Sequence, residues 1–326
     1  RSKMSKDEQL NKTAEILAAI LELDKNEILA SMRQEKGLIK IANYVSQEKV
    51  DRLKDKCLRG VEITEGVKRC YPMGAFAAHV LGSTTEDNEG MVGIEWEYNQ
   101  YLRGMDGRSI YNADRNGSGL SYGKEECFKA ENGLNLILTI DKVIQLYVEN
   151  ALDQVQEKTS ADRVMCIVMD PKTGDVLGMG MTPDYDPNNP RIPTDGSEAV
   201  SLESLSESEK VEYWNAMWRN SMVSDIYEPG STFKLLTTAI ALEEGVTSPS
   251  DTFYDSGKIN VAGTILKCLQ WRNPHGHETL TQAVENSCNP VFVQLVQRIG
   301  MRRYYEYLEL FGLRDKTGID FPGEGL

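Results

Sequence analysis

A chain of 326 residues with 40% hydrophobic and 26% charged composition has the apolar content for a sizeable core, predicts two domains, and excludes a disordered chain. A formal net charge of -14 and a pI near 4.9 exclude the clustered lysine and arginine surface that nucleic acid or an anionic membrane requires. No apolar run approaches the roughly 18 residues of a membrane span, and Arg1 does not begin a signal peptide, so either feature is expected only upstream of this sequence.

In chain order, residues 7–33 predict two short helices, the second capped by Asp24 or Asn26. A further helix is expected across Ser46–Leu58, then a turn into the alanine-rich segment YPMGAFAAHVLG, then GMVGIEWEYNQYLRG. A hairpin is expected through SIYNADRNGSG, where Asn116-Gly117 is a strong turn signal. A boundary falls near Glu131-Asn132-Gly133, which predicts domains of 1–132 and 133–326. Beyond it LNLILTI alternates as a strand, and Asp141 caps an amphipathic helix with Val143, Leu146, Tyr147, Ala151 and Val155 at helical spacing. RVMCIVMD and VLGMGM pair as a hairpin around DPKTG, and PDYDPNNPRIPTDGSE reads as an extended surface segment. The stripe Trp214, Met217 and Trp218 on a helix over Glu207–Arg219 reads as core packing. Strand, helix, hairpin and then mostly helices predicts an α+β fold with an antiparallel sheet.

The six cysteines, Cys57, Cys70, Cys127, Cys166, Cys268 and Cys288, are scattered without a C-x-x-C pair, so they predict neither a disulfide framework nor a zinc finger. Cys268, His275 and His277 lack a ligand pair at finger or i,i+4 spacing, and no metal or cofactor is expected.

The stretch YEPGSTFKLL opens a helix with Ser231 as the expected N-cap. A serine cap usually has Glu or Gln three residues on; here that position is Lys234, a cation where the helix dipole disfavours one. The following Leu235, Leu236, Ala239, Ile240, Ala241 and Leu242 predict a buried helix. Residues three apart share a helix face, so Ser231 and Lys234 come within hydrogen-bond reach. A serine hydroxyl is a poor nucleophile without a base, and a lysine whose pKa is depressed by burial and a helix N-terminus can be that base. The alternative is an N-cap beside a solvent-facing lysine. In NSCNPVFVQLVQRIG, Pro290 suits the first position of a new helix and pushes Asn289 out of the α region, so that Ser287 and Asn289 project from a turn between helices. Asn289 as a plain N-cap is the competing reading.

An S-x-x-K followed by S-x-N, with EPGSTFK preceded by RNSMVSDIY, resembles the active-site segments of class B penicillin-binding proteins. RCYPMGAFAAHVLG and GMVGIEWEYNQYLRG resemble that family's pedestal, LTIDKVIQ and MDPKTGDVLGMG its entry into the catalytic domain, and HGHETLTQAVENSCNPVF its second motif. The resemblance implies a penicillin-binding transpeptidase or serine β-lactamase-like α+β domain behind a smaller α+β pedestal of the dimerisation type. It implies that Ser231 attacks the carbonyl of a stem peptide's penultimate D-Ala, that Lys234 accepts its proton, that Ser287 relays a proton to the leaving group, and that Asn289 bonds substrate or Lys234. It also implies a D,D-transpeptidase outside the cytoplasmic membrane with an N-terminal anchor. The partners so implied are peptidoglycan stem peptides on a lipid II-derived glycan, β-lactams, and a glycosyltransferase with other division or sporulation membrane proteins. The family's third motif, K-T-G or K-S-G on a strand, finds no match: Lys172-Thr173-Gly174 and Lys316-Thr317-Gly318 both read as turns, and the catalytic domain is expected to be incomplete at its C-terminus. Two other readings share the motifs: a β-lactam sensor or serine β-lactamase relative, and a non-catalytic scaffold.

Overall fold

The computed structural model describes residues 6–34, 38–110, 126–193, 202 and 204–325. By packing, the chain divides into Arg1–Arg219 and Asn220–Leu326.

In the first unit, the Asp24 carboxylate accepts the N–H groups of Asn26 and Glu27 and so starts helix α2 (Lys25–Met32). That helix folds back on α1 (Lys6–Leu21), and with α3 (Gln47–Asp55) the two bury Ala14, Leu17, Ile20, Ile28, Leu29 and Leu53. Short α4 (Ala78–Leu81), α5 (Gly93–Glu97) and α6 (Asn99–Leu102) surround a ladder of β1 (Ser83–Thr84) with β2 (Gly90–Val92). Strand β3 (Arg108–Ile110) pairs with β4 (Glu126–Phe128); the predicted Asn116-Gly117 turn lies outside the described residues.

The alternating segment Leu134–Ile140 is not a strand. It has no ladder partner among the described residues, and Leu134 and Ile137 are exposed. Within it the Thr139 hydroxyl donates to Val176 O of the next hairpin, and just after it Asp141 N–H donates to Leu177 O, two bonds that do not make a ladder.

Asp141 caps α7 (Lys142–Thr159) as its position predicts, accepting from Val143 and Ile144. The buried face is a different one from the predicted stripe. Val143, Leu146, Tyr147 and Val155 stay exposed, whereas Gln145, Val148 and Leu152 turn on to β5 (Val164–Met169) and β6 (Val176–Thr182). Two features of β6 explain the choice. Gly178 and Gly180 admit the helix so closely that a Cβ on Gly180 would sit 3.0 Å from Leu152 Cδ1. Between them, Met179 N–H donates to Gln145 Oε1 at 2.8 Å and Gln145 Nε2 donates to Met179 O at 2.9 Å, so an amide side chain completes the strand's hydrogen bonding and is drawn inward with it.

β5 and β6 form the predicted antiparallel hairpin, closed by Gly174 N–H to Asp170 O, and Lys172-Thr173-Gly174 lies in its turn. The described part of the proline-rich segment, 183–193, is less superficial than its composition suggests. Tyr185 is fully buried with its hydroxyl donating to Ala78 O, and Asn188 bonds both the N–H and the C=O of Tyr71. Asp and Asn side chains satisfy this loop's backbone locally, which lets it approach the core without a ladder. Helix α8 (Glu207–Trp218) opens with a capping box between Ser206 and Glu209, and Trp218, Trp214 and Met217 pack with Tyr185 and Ala78, the core role the sequence predicts.

The second unit contains α9 (Ser221–Ser224), a 3-10 turn at Gly230–Thr232, α10 (Phe233–Glu243), the ladder of β7 (Thr252–Asp255) with β10 (Gly276–Thr279), and the hairpin of β8 (Lys258–Val261) with β9 (Thr264–Lys267). Helices α11 (Leu280–Glu285), α12 (Asn289–Ile299) and α13 (Met301–Leu310) follow. Its core joins Ile240 and Ala241 of α10 to Phe253, Leu280, Val291, Phe292 and Leu295. The prediction that α10 is buried holds on that side; Leu235 and Leu242 are exposed. Lys316-Thr317-Gly318 lies in a loop after α13, where Glu324 accepts from both the N–H and the hydroxyl of Thr317. Every ladder among the described residues is antiparallel, and the fold class is α+β.

Candidate active site

Four side chains singled out by sequence converge within the second unit. Ser231 lies in the 3-10 turn, Lys234 in the first turn of α10, Ser287 in the break between α11 and α12, and Asn289 at the first residue of α12. Thr279 and Gln282 form a capping box that fixes the start of α11. Its end is fixed by Ser287 N–H to Val284 O and Cys288 N–H to Ala283 O.

Ser287 has φ of 50°, in the left-handed region that non-glycine residues adopt at a cost of about 1–3 kcal/mol. The helix ends on either side hold it there, and its carbonyl oxygen accepts from Lys234 Nζ at 2.6 Å. The same ammonium donates to Ser287 Oγ at 2.9 Å and to Asn289 Oδ1 at 2.6 Å. An ammonium has three N–H donors, so these acceptors use them all. Ser287 Oγ in turn donates to Ser231 Oγ at 2.9 Å, and Asn289 Nδ2 donates to Lys267 O at 2.9 Å. Below the amine, the Phe292 ring centroid lies 5.3 Å from Lys234 Nζ.

Three local expectations are corrected. Ser231 is not an N-cap, because the preceding residues form a 3-10 turn and its hydroxyl points to Ser287 instead of a backbone donor. Ser231 and Lys234 do not bond directly, because the lysine's donors are committed to Ser287 and Asn289. Asn289 is helical: Pro290 sits within the first turn, and Ser287 and Cys288 absorb the break.

Burial lowers the Lys234 pKa from its ordinary value, while the nearby Cys288 and Cys268 sulfurs act in the opposite sense. A lysine displaced towards neutrality, one hydroxyl away from an exposed serine, is the arrangement that nucleophilic acyl transfer requires. Hydroxyl protons rotate, so the chain Ser231, Ser287, Lys234 can carry a proton either way.

Sequence reasoning passed over one neighbouring group. Cys268 and His275 meet Asp255 and Cys288, with ligand atoms all within 4.8 Å of one another, while His277 lies against Tyr254 with ring centroids 5.0 Å apart. Asp255 ends β7, Cys268 and His275 lie at the two ends of the loop between β9 and β10, and Cys288 precedes α12, so no short spacing signals them; the one clue is Cys288 inside the Ser287-x-Asn289 triplet.

A family model described as the penicillin-binding protein transpeptidase domain matches residues 164–325, and one described as the penicillin-binding protein dimerisation domain matches residues 1–138. Stage V sporulation protein D of Bacillus subtilis (strain 168) is 36% identical over 318 residues, covering 96% of this chain and 46% of that protein. Penicillin-binding protein 3 of Mycobacterium tuberculosis shares the fold at a TM-score of 0.62 and 29% identity, over 79% of this chain and 50% of that one. The penicillin-binding protein PBP2 of Helicobacter pylori, solved in complex with MreC, is similar in fold at a TM-score of 0.74 and 24% identity, over 100% of this chain and 62% of that one. The chain thus spans about half the length of the curated relatives it matches.

Proposed function

The chain belongs to the class B penicillin-binding proteins, and from that membership we propose that it is part of a peptidoglycan D,D-transpeptidase that works through an acyl-enzyme on Ser231. The observation that carries this reading is the continuous path from Lys234 Nζ through Ser287 Oγ to Ser231 Oγ. Ser231 Oγ attacks the carbonyl of the penultimate D-Ala, its proton passes through Ser287 to neutral Lys234, and the Ser231 backbone N–H supplies one oxyanion donor. As the tetrahedral adduct collapses, the C–N bond to the terminal D-Ala breaks and the same path returns the proton to the leaving amine. The ester left on Ser231 is attacked by an amine of a neighbouring stem peptide; a new amide forms, the ester breaks and Ser231 regains its proton. Asn289 holds Lys234 on this path and faces the substrate. A β-lactam acylates Ser231 by the same first step.

The proposal includes a pedestal of 1–132 and a transpeptidase domain of 133–326, a reading supported by the two family models on either side of residues 139–163. It also places the protein on the outer face of the cytoplasmic membrane behind an N-terminal anchor, acting beside a glycosyltransferase in a division or sporulation complex. Among the described residues no helix is long and apolar enough to cross a membrane. The reading as a sensor or β-lactamase gains no support, since the first 138 residues match a penicillin-binding protein dimerisation domain.

Intact-mass spectrometry after incubation with penicillin tests the proposal. One penicilloyl adduct on the wild type and none on Ser231→Ala is expected. An adduct that persists in Ser231→Ala removes Ser231 as the nucleophile.

A further inference from the structure

Beside the proposed nucleophile site the charge of the chain reverses. Residues 256–277 carry Lys258, Lys267 and Arg272 and no Asp or Glu, in a chain of 50 acidic and 36 basic residues. All three cations are exposed, and among the described residues none of them has an ion-pair partner. Lys258 stands directly opposite Lys267 across the ladder of β8 with β9, so the two side chains leave the same face. Like charges in that position destabilise a ladder. Lys25 and Lys40, by contrast, pair with Glu15 and Asp87.

The loop between β9 and β10 holds this charge in a fixed place. Lys267 Nζ lies 4.6 Å and Arg272 Cζ 5.1 Å from the Trp271 ring centroid, so one indole gathers both cations. The loop's backbone is tied down: Cys268 N–H donates to Gly257 O at 2.9 Å, Trp271 N–H to Cys268 O at 3.1 Å, and Asn273 N–H to Gln270 O at 2.9 Å. Gly257, with φ of 83°, approaches Trp271 so closely that a Cβ there would sit 2.6 Å from Trp271 O. Trp271 nonetheless keeps 43% of its surface exposed. Lys267 O accepts from Asn289 Nδ2 at 2.9 Å, and Asn289 Oδ1 accepts from Lys234 Nζ at 2.6 Å, so the cationic loop adjoins the residues of the acyl-transfer path.

We propose that Lys258, Lys267 and Arg272, the last two gathered by Trp271, form a subsite for the carboxylates of a stem peptide whose scissile bond lies at Ser231. The subsite rests on the proposed function, which brings an anionic peptide on a glycan to that serine. Arg272 meets a carboxylate with a planar fork of donors, and the two lysines act as point charges. An anion bound here relieves the repulsion between Lys258 and Lys267, and a neutral peptide does not. A β-lactam acylates Ser231 by the first step alone, and its reaction does not depend on the subsite.

The test is the binding of soluble, uncross-linked glycan strands bearing stem peptides to the full chain carrying Ser231→Ala, which prevents turnover. The same strands with their carboxylates converted to neutral amides are the comparison. In low salt the charged strands are expected to bind about 10-fold more tightly than the amidated ones, an advantage that added salt erodes. Lys258→Gln combined with Arg272→Gln should remove that advantage, as should Trp271→Leu, while Trp271→Phe, which keeps a ring under the cations, should restore it. With Ser231 present, Lys258→Gln and Arg272→Gln should leave the rate of penicillin acylation unchanged. If Trp271→Leu fails to fold, the charge variants and the amidated strands still decide. Equal binding of charged and amidated strands, no binding of either, or an advantage that survives both charge substitutions overturns the subsite. Tighter binding of a phosphate-rich anionic polymer, lost in the same variants, overturns the stem-peptide assignment. Carboxylate-dependent strand binding with no acylation of Ser231 by penicillin upholds the subsite and refutes the transpeptidase reading; acylation with strand binding indifferent to charge does the reverse.

Discussion

Ser287 Oγ donates to Ser231 Oγ at 2.9 Å, and this contact is the only hydrogen bond by which Lys234 reaches the proposed nucleophile among the described residues. The proposed base and nucleophile, three residues apart in sequence, are coupled through a residue more than fifty positions away.

Ser287→Ala should therefore cost more than one auxiliary contact normally does. It leaves Lys234 with Ser287 O and Asn289 Oδ1 as acceptors but cuts the proton path. The acylation rate constant with penicillin should fall on the order of 10²- to 10⁴-fold, with little change in non-covalent affinity. Time-resolved intact-mass measurement checks this. Acylation at the wild-type rate would mean that Lys234 reaches Ser231 directly.

Ser231, Lys234, Ser287 and Asn289 were legible in the sequence because each motif is local, and because Pro290 and the polar run before it mark a helix break. The hydrogen-bond order among them was not, since it depends on a left-handed backbone at Ser287 that a serine does not advertise. The buried face of α7 was likewise hidden: hydrophobic spacing selected Val143, Leu146 and Tyr147, whereas the glycines of β6 and the backbone of Met179 selected Gln145. Periodicity reports the apolar stripe of a helix; what covers that stripe is a long-range fact.

The depressed pKa of Lys234 predicts how acylation depends on pH. In the proposed mechanism neutral Lys234 is the competent base, so the rate should rise with pH and level off once the amine is deprotonated. Burial favours the neutral form, which places the midpoint of that limb below the ordinary lysine value of 10.5. Lys234→Arg, with a side chain that stays protonated, should remove the limb along with the activity. A rate independent of pH up to the ordinary lysine range would remove Lys234 as the base.

Gln145→Leu tests the polar seam between α7 and β6. The substitution keeps the apolar stem and roughly the volume but takes from Met179 N–H and Met179 O the bonds at 2.8 and 2.9 Å. Each buried backbone bond lost costs about 1–3 kcal/mol, so urea unfolding should show a correspondingly lower stability. A variant as stable as wild type would show that Gln145 fills space and nothing more.

His79 predicts a loss of stability in mild acid. Its ring is buried, edge-on to Tyr185 at 5.2 Å between centroids, with Nε2 3.1 Å from Met217 O. Burial lowers its pKa from 6.5 to about 4; the Met217 carbonyl acts against the shift and Arg163 adds to it. Above pH 6.5 the ring is neutral in folded and unfolded chains, and it contributes no pH dependence. Between 6.5 and about 4 the unfolded chain binds a proton that the folded chain does not, so stability falls as pH falls, by up to about 1.4 kcal/mol per pH unit. Below about 4 both states carry the proton and the loss levels off near 3 kcal/mol, an order-of-magnitude figure. His79→Gln, which can still donate to Met217 O but does not titrate, should flatten the acid limb of a plot of unfolding free energy against pH while leaving stability near pH 7.5 little changed. An unaltered slope in that variant would assign the acid sensitivity to carboxylates elsewhere in the chain.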